Sequence, residues 1–136
     1  MTPDTLATLH ATCFPEVPWS AESFAQFLGS PTTRLITAPN AFLLAQVIAP
    51  EAEILTLCVA PSARRQGTAR HMIDTLKANC DKIFLEVASD NAAARALYAK
   101  AGFIQTGLRP AYYPRTTGLA ADALTLTWTT PQPSLF

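Results

Sequence analysis

EILTLCVAPSARRQGTARHMIDTLKANCDKIFLEVA, residues 53–88, decides the fold. Residues 53–60 are mostly apolar and end at Pro61, so they read as a strand with a turn behind it. Ala69, Met72, Ile73, Leu76 and Cys80 recur at i, i+3, i+4, i+7 and i+11, which is one face of a helix. KIFLEVA, residues 82–88, is a short apolar run of the kind buried on both faces of a sheet. Strand, turn, helix and strand in that order make an α/β arrangement.

Working outward toward the N-terminus, AFLLAQVIA and RLITA read as two more strands, with Pro39 and Asn40 as the turn between them. Ser20 is placed as an N-cap for AESFAQFL, and Gly29 stops that helix. Leu6, Ala7 and Leu9 give a looser helical stripe over residues 4–12. On the other side, SDNAAARALYAKAGF opens on polar caps and closes at Gly102, a further helix. FIQTGL and DALTLTWTT are the last strands, and residues 129–136 read as a tail. The expected fold is therefore α/β, one domain over residues 1–136, with a mixed sheet.

Composition narrows the function. Hydrophobic residues make up 49% of the 136, enough for a core, and the formal net charge is +0. A neutral chain has no broad attraction for nucleic acid or an acidic membrane, so neither is expected as a partner. No apolar stretch is long enough to span a bilayer. MTPDTLATLH lacks the charged and apolar regions of a signal peptide, so a cytoplasmic location is expected. Cys13, Cys58 and Cys80 are odd in number and widely spaced, and His10 and His71 stand alone, so no metal site is expected.

The strand-to-helix junction carries the first chemistry. A helix N-terminus offers unpaired N–H groups and a partial positive charge. Gly67, without a Cβ, lets the backbone approach an anion, and Arg64, Arg65 and Arg70 add positive charge. No Gly-Lys-Ser/Thr follows and G-x-G-x-x-G is absent, so a nucleoside triphosphate and NAD are excluded. R-x-x-G-x-A fits a phosphate-bearing ligand of another kind; it equally fits a solvated basic helix start.

Glu86 is the second point. It stands in an apolar strand, where a carboxylate is costly unless paired or used. Two readings are open: a salt-bridged or edge glutamate, or a general base. Tyr98, twelve residues on, shares a helical face with Ala94 and Ala101 and by itself reads first as a core residue. Asn91 is placed to cap the helix that follows or to meet a ligand. Cys58 has no histidine placed to activate it and reads as a small core residue.

Together these segments resemble the GNAT superfamily of acyl-CoA-dependent N-acetyltransferases. The resemblance covers residues 14 to 127 and rests on FPEVPWSAESF, LCVAPSARRQGTAR, LEVASDNAAARALYAKAGF and YYPRTTGLAADAL. PWS and YYP are similar to the bacterial branch that acetylates a ribosomal-protein alanine. It implies the GNAT acyltransferase fold, a mixed central sheet with helices on both faces. It also implies acetyl-CoA as co-substrate, lying between the strands over residues 53–60 and 82–88. Leu57, Cys58 and Val59 would pair with the pantetheine through their backbone. The amides of Arg64, Arg65, Gln66, Gly67, Thr68, Ala69 and Arg70 would hold the pyrophosphate, and Asn91 would also contact the co-substrate. Glu86 would be the general base and Tyr98 the general acid. Trp19, Tyr112 and Tyr113 would flank the acceptor, the N-terminal alanine of a ribosomal protein. A different protein, a small amine, or acetyl-CoA binding without turnover remain open alternatives. The chain departs from the pattern in three places. It begins almost at the first helix, so the family's first strand is expected to be missing or very short. Ala69 replaces a common glycine, and Ala111 replaces a polar residue before YYP.

Overall fold

The structure, a computed structural model, describes residues 1–131. Helix α1 (Pro3–Cys13) and helix α2 (Ala21–Leu28) come first, followed by β1 (Thr33–Ala38), β2 (Ala41–Ile48) and β3 (Glu51–Val59). A short 3-10 turn (Pro61–Ala63) leads to α3 (Thr68–Lys77), then β4 (Lys82–Ala88), α4 (Ala92–Lys100), β5 (Ile104–Tyr113) and β6 (Ala121–Thr129). Local chemistry starts and stops these helices. The Ser20 hydroxyl accepts from the Ser23 N–H at 3.1 Å, and Asn91 Oδ1 accepts from the Ala94 N–H at 3.1 Å. Each satisfies one of the donors that a helix start leaves without a partner. Gly102, at φ +92°, turns the chain out of α4 in a conformation that other residues adopt only with strain.

The six strands form one sheet in the order β1-β2-β3-β4-β6-β5. β3 and β4 run parallel, joined by the α3 crossover, and the other neighbours run antiparallel. Helices lie on both faces, as the family resemblance implies. Met72, Ile73 and Leu76 of α3 and Tyr98 of α4 pack on one face, against Leu43, Ile54, Ile83, Leu85 and Leu126. Leu6 of α1 and Phe24 of α2 pack on the other, against Phe42, Leu44 and Cys58. This second cluster takes nothing from β4, β5 or β6.

That asymmetry corrects the reading of residues 82–88. Ile83, Leu85 and Val87 are buried under α3 and α4, while Phe84, Glu86 and Ala88 on the opposite face are half-buried. The strand buried on both faces is β2, whose residues from Ala41 to Ala45 are all fully buried. α1 and α2 cover β1–β3 only, so β4 has a lid on one side.

Three boundaries differ from expectation. α3 ends at Lys77, so Cys80 joins the core from the turn beyond it. β5 continues through Tyr113, so Tyr112 and Tyr113 end a strand instead of standing in a loop. Thr129, where the expected last strand and the expected tail overlap, pairs with Lys82 as the last residue of β6, and residues 132–136 of that tail lie outside the described residues. No strand precedes α1 among the described residues. No helix among them is long and apolar enough to cross a membrane.

Candidate active site

The site begins where the parallel pair comes apart. β3 and β4 pair from Glu51↔Lys82 to Ile54↔Leu85 and no further. At that point β3 carries an extra residue: Ala45 pairs with Ile54 and Leu44 with Thr56, leaving Leu55 unmatched. Such a bulge bends the strand and changes which face its side chains meet. Ile54 lies in the larger core and Cys58, four residues on, in the smaller one, although unbroken alternation would put both on one side. Beyond the bulge, residues 55–59 of β3 and 86–88 of β4 do not pair with each other, and the slot is this unpaired stretch. Leu57 and Val59 are half-buried beside it.

α3 points its N-terminus from the loop that follows β3. Arg65 (φ 64°) and Gly67 (φ 74°) both adopt left-handed backbone, a turn that gathers N–H groups into a concave cradle. A Cβ built on Gly67 would meet nothing within 4 Å, so the cradle opens outward. The amides of Thr68, Ala69 and Arg70 form the first turn and have no earlier carbonyl to bond. Two of the three arginines expected around an anion have other work. Arg64 Nε donates to the Val59 carbonyl at 3.0 Å. Arg70 donates to Asp74 at 3.3 Å and to the Lys100 carbonyl at 2.9 Å, while Lys77 donates to the Ala101 carbonyl. The C-terminal carbonyls of α4 attract these cations from α3, so Arg70 offers the cradle its backbone only. Arg65, Gln66 and Gly67 are exposed.

Glu86 lies at the mouth of the slot on the uncovered face. Its Oε1 is 3.4 Å from Nη2 of Arg109 on β5, and its Oε2 is buried with no hydrogen-bond partner among the described residues. A buried carboxylate oxygen without a donor is costly, and a position kept at such cost points to use. Tyr98, buried in α4, meets Phe103 edge-on at 5.4 Å. Burial raises its phenol pKa, with a smaller contribution from nearby Cys58, so it keeps its proton at neutral pH. Burial also raises the Cys58 thiol, followed by the neighbouring Cys13, so Cys58 is no thiolate nucleophile. Asn91 spends its side-chain oxygen on the α4 cap.

The remaining expected residues separate. Tyr112 and Tyr113 meet edge-on at 5.1 Å; the Arg109 guanidinium lies 5.2 Å from the Tyr112 ring and that of Arg115 5.8 Å from Tyr113. Burial raises the Tyr113 phenol pKa, and Glu86 adds to it. Trp19 is instead part of the smaller core, stacked on His10 at 5.0 Å and Phe27 at 5.3 Å. Sequence reasoning missed Arg109 and Arg115. Arg115 pairs bidentately with Asp90 at 2.8 Å and reaches Glu16 at 3.8 Å, tying the β5–β6 connection to two other loops. No local pattern marks either arginine, since their acidic partners are 20 or more residues away. Among the described residues, no three His, Cys, Asp or Glu side chains gather to hold a metal.

An open slot, an amide cradle, an unpartnered carboxylate oxygen and a protonated phenol suit transfer of an acyl group from an extended anionic carrier to an amine. Comparisons with known proteins give the family. The model of the Acetyltransferase (GNAT) family matches residues 5–103. The [Ribosomal protein bS18]-alanine N-acetyltransferase of Escherichia coli (strain K12) is 38% identical over 110 residues, 74% of either chain. The crystal structure of the ribosomal-protein-S18-alanine N-acetyltransferase from Escherichia coli superposes with a TM-score of 0.79 at 29% identity, covering 99% of this chain and 93% of that one. The NatC complex bound to Gag peptide and CoA shares the fold, with a TM-score of 0.72 at 21% identity over 96% of this chain and 91% of that one.

Proposed function

The chain belongs to the GNAT family of N-acetyltransferases, and from that premise we propose that it acetylates the N-terminal α-amine of a protein, the alanine of a ribosomal protein, with acetyl-CoA as donor. The observation that carries the reading is the buried, unpartnered Oε2 of Glu86 beside the β3–β4 slot. The slot and the cradle fit an extended carrier with a pyrophosphate: an open strand edge offers backbone groups to the pantetheine, and left-handed Arg65 and Gly67 aim amides at the anion. When bound, acetyl-CoA supplies the activated acyl group.

The residues of the chain would do the rest. Leu57, Cys58 and Val59 would align the pantetheine by backbone pairing, with the Val59 N–H donating to the thioester oxygen. The amides from Arg64 to Arg70 would hold the pyrophosphate, and Asn91 would add a contact through its amide nitrogen. Glu86 would accept the proton that makes the acceptor amine a nucleophile, directly or through water. Tyr98 would donate to the departing sulfur. Tyr112 and Tyr113 would wall the acceptor groove with flat, half-polar surfaces, and Trp19 would support it from the smaller core. The relatives that act on a ribosomal-protein alanine support the choice of acceptor.

The experiment follows thiol release from acetyl-CoA with an N-terminal peptide of the ribosomal protein and with small amines. Glu86→Gln and Tyr98→Phe are each expected to lower turnover by about 10²–10⁴-fold while acetyl-CoA affinity, read by calorimetry, is retained. Near-normal turnover in both variants would overturn the assignment of base and acid. Acetylation of small amines in preference to every peptide would overturn the acceptor.

A further inference from the structure

Glu86 is held between two charges of opposite sign that reach it from different strands. On one side is Arg109 of β5, with Nη2 3.4 Å from Oε1. On the other is Glu53 of β3. Register pairs Glu53 with Phe84, two residues before Glu86. Ala52, Ile54, Ile83 and Leu85 all face the larger core, so Glu53, Phe84 and Glu86 share the opposite face. Glu53 therefore stands diagonally across from Glu86, at the point where the two strands part. Burial raises the pKa of the half-buried Glu53, and the Glu86 charge raises it further. β5 also brings Tyr113, a phenol, toward Glu86, and β6 sets the uncharged Thr125 opposite it.

We propose that Glu53 and Arg109 are positioning residues that act on Glu86 with charges of opposite sign, Arg109 through the contact with Oε1 and Glu53 through a second carboxylate on the same face of the sheet. The proposal rests on the reading of Glu86 as the base. A base paired with a guanidinium alone takes a proton weakly; a base beside a second carboxylate alone arrives already protonated. Exposure differs usefully: the Arg109 side chain is 60% exposed and that of Glu86 27%. Arg109 is therefore held loosely and can swing aside when a cationic acceptor reaches Glu86, while its charge stays within range.

The test is the pH dependence of kcat with both substrates saturating, so that ionisation of the free acceptor amine drops out. Removing a positive charge makes Glu86 easier to protonate, so Arg109→Gln is expected to move the acidic limb up by about 0.5–1 pH unit. Removing a negative charge does the reverse, so Glu53→Gln is expected to move it down by about the same amount. The double variant is expected to return close to the wild-type limb, and Arg109→Lys and Glu53→Asp to keep it. Far-ultraviolet circular dichroism and acetyl-CoA affinity check that each variant is folded. Limbs that coincide with wild type, or that move the same way in both single variants, would overturn the proposal while Glu86 remains the base. A Glu86→Gln enzyme with wild-type turnover and an intact acidic limb would overturn the base assignment, and the proposal with it.

Discussion

The two halves of the sheet are built differently. β1, β2 and β3 lie between α1 and α2 on one face and α3 on the other, and the middle strand is buried on both sides. β4, β6 and β5 are covered on one face only, and β5 is exposed along most of its length, with Ile104 and Leu108 in solvent. The closed half holds an aromatic cluster in which Phe24 meets Phe42 edge-on at 5.7 Å and His10 lies between Phe14 and Trp19. The open half holds Glu86, Arg109 and the tyrosine pair. The seam between them is the β3–β4 pair, which separates at the Leu55 bulge. One half thus buries close-packed apolar surface on both faces, and the other leaves polar groups on an uncovered face.

The sharpest way to break this comparison is to hollow out the closed half. Phe24 is fully buried and central to the smaller core, so Phe24→Ala is expected to cost about 3–5 kcal/mol in urea unfolding. A cost below about 1 kcal/mol would mean that the closed half is not where stability resides.

Acid probes the same half more gently. His10 is buried, accepts a hydrogen bond at Nδ1 from the Trp19 N–H at 3.0 Å, and has its pKa lowered by burial to about 4. In the unfolded chain it takes a proton near pH 6.5, so between those values the unfolded state binds more protons and stability falls as pH falls. The full contribution is present above about pH 6.5, and about 2–3 kcal/mol is expected to be lost on reaching pH 4. The measurement is the difference in urea midpoint between wild type and His10→Gln across that range. Parallel midpoints would show that His10 is not the acid-sensitive group.

The smallest effect concerns the open half. Ala111 sits at φ 51°, with its N–H held by Asp122 Oδ1 at 2.9 Å, where β5 shifts register between Arg109 and Tyr113. A side chain in left-handed backbone is strained, so Ala111→Gly is expected to stabilise the protein by about 0.5–1 kcal/mol net of the added chain entropy. A loss of stability in thermal unfolding would mean that the strain lies elsewhere in the bulge.

Much of this was legible before any coordinates. Ser20 and Asn91 announced two helix starts, and the Met72, Ile73, Leu76 stripe announced α3, because caps and stripes depend on contacts within one or two turns. Glu86 was conspicuous as a charge in an apolar strand, and Gly67 as a break before a helix. The run of residues 82–88 misled, since an apolar strand reads the same whether one face or both are covered. Trp19 is the middle residue of PWS, and its stacking on His10 and Phe27 was hidden by the chain between them.

The sequence by itself determined the elements and their order, because each is a property of a short stretch and its own side chains. Only the tertiary structure decided what surrounds Glu86. The order β3-β4-β6-β5 brings Glu53 and Arg109, residues 33 positions before and 23 after it, to the same carboxylate. It also decided where β3 leaves β4, since an extra residue in a strand is defined only by the strand beside it. Coulomb interaction and strand register act across space, and a pattern read along the chain carries neither.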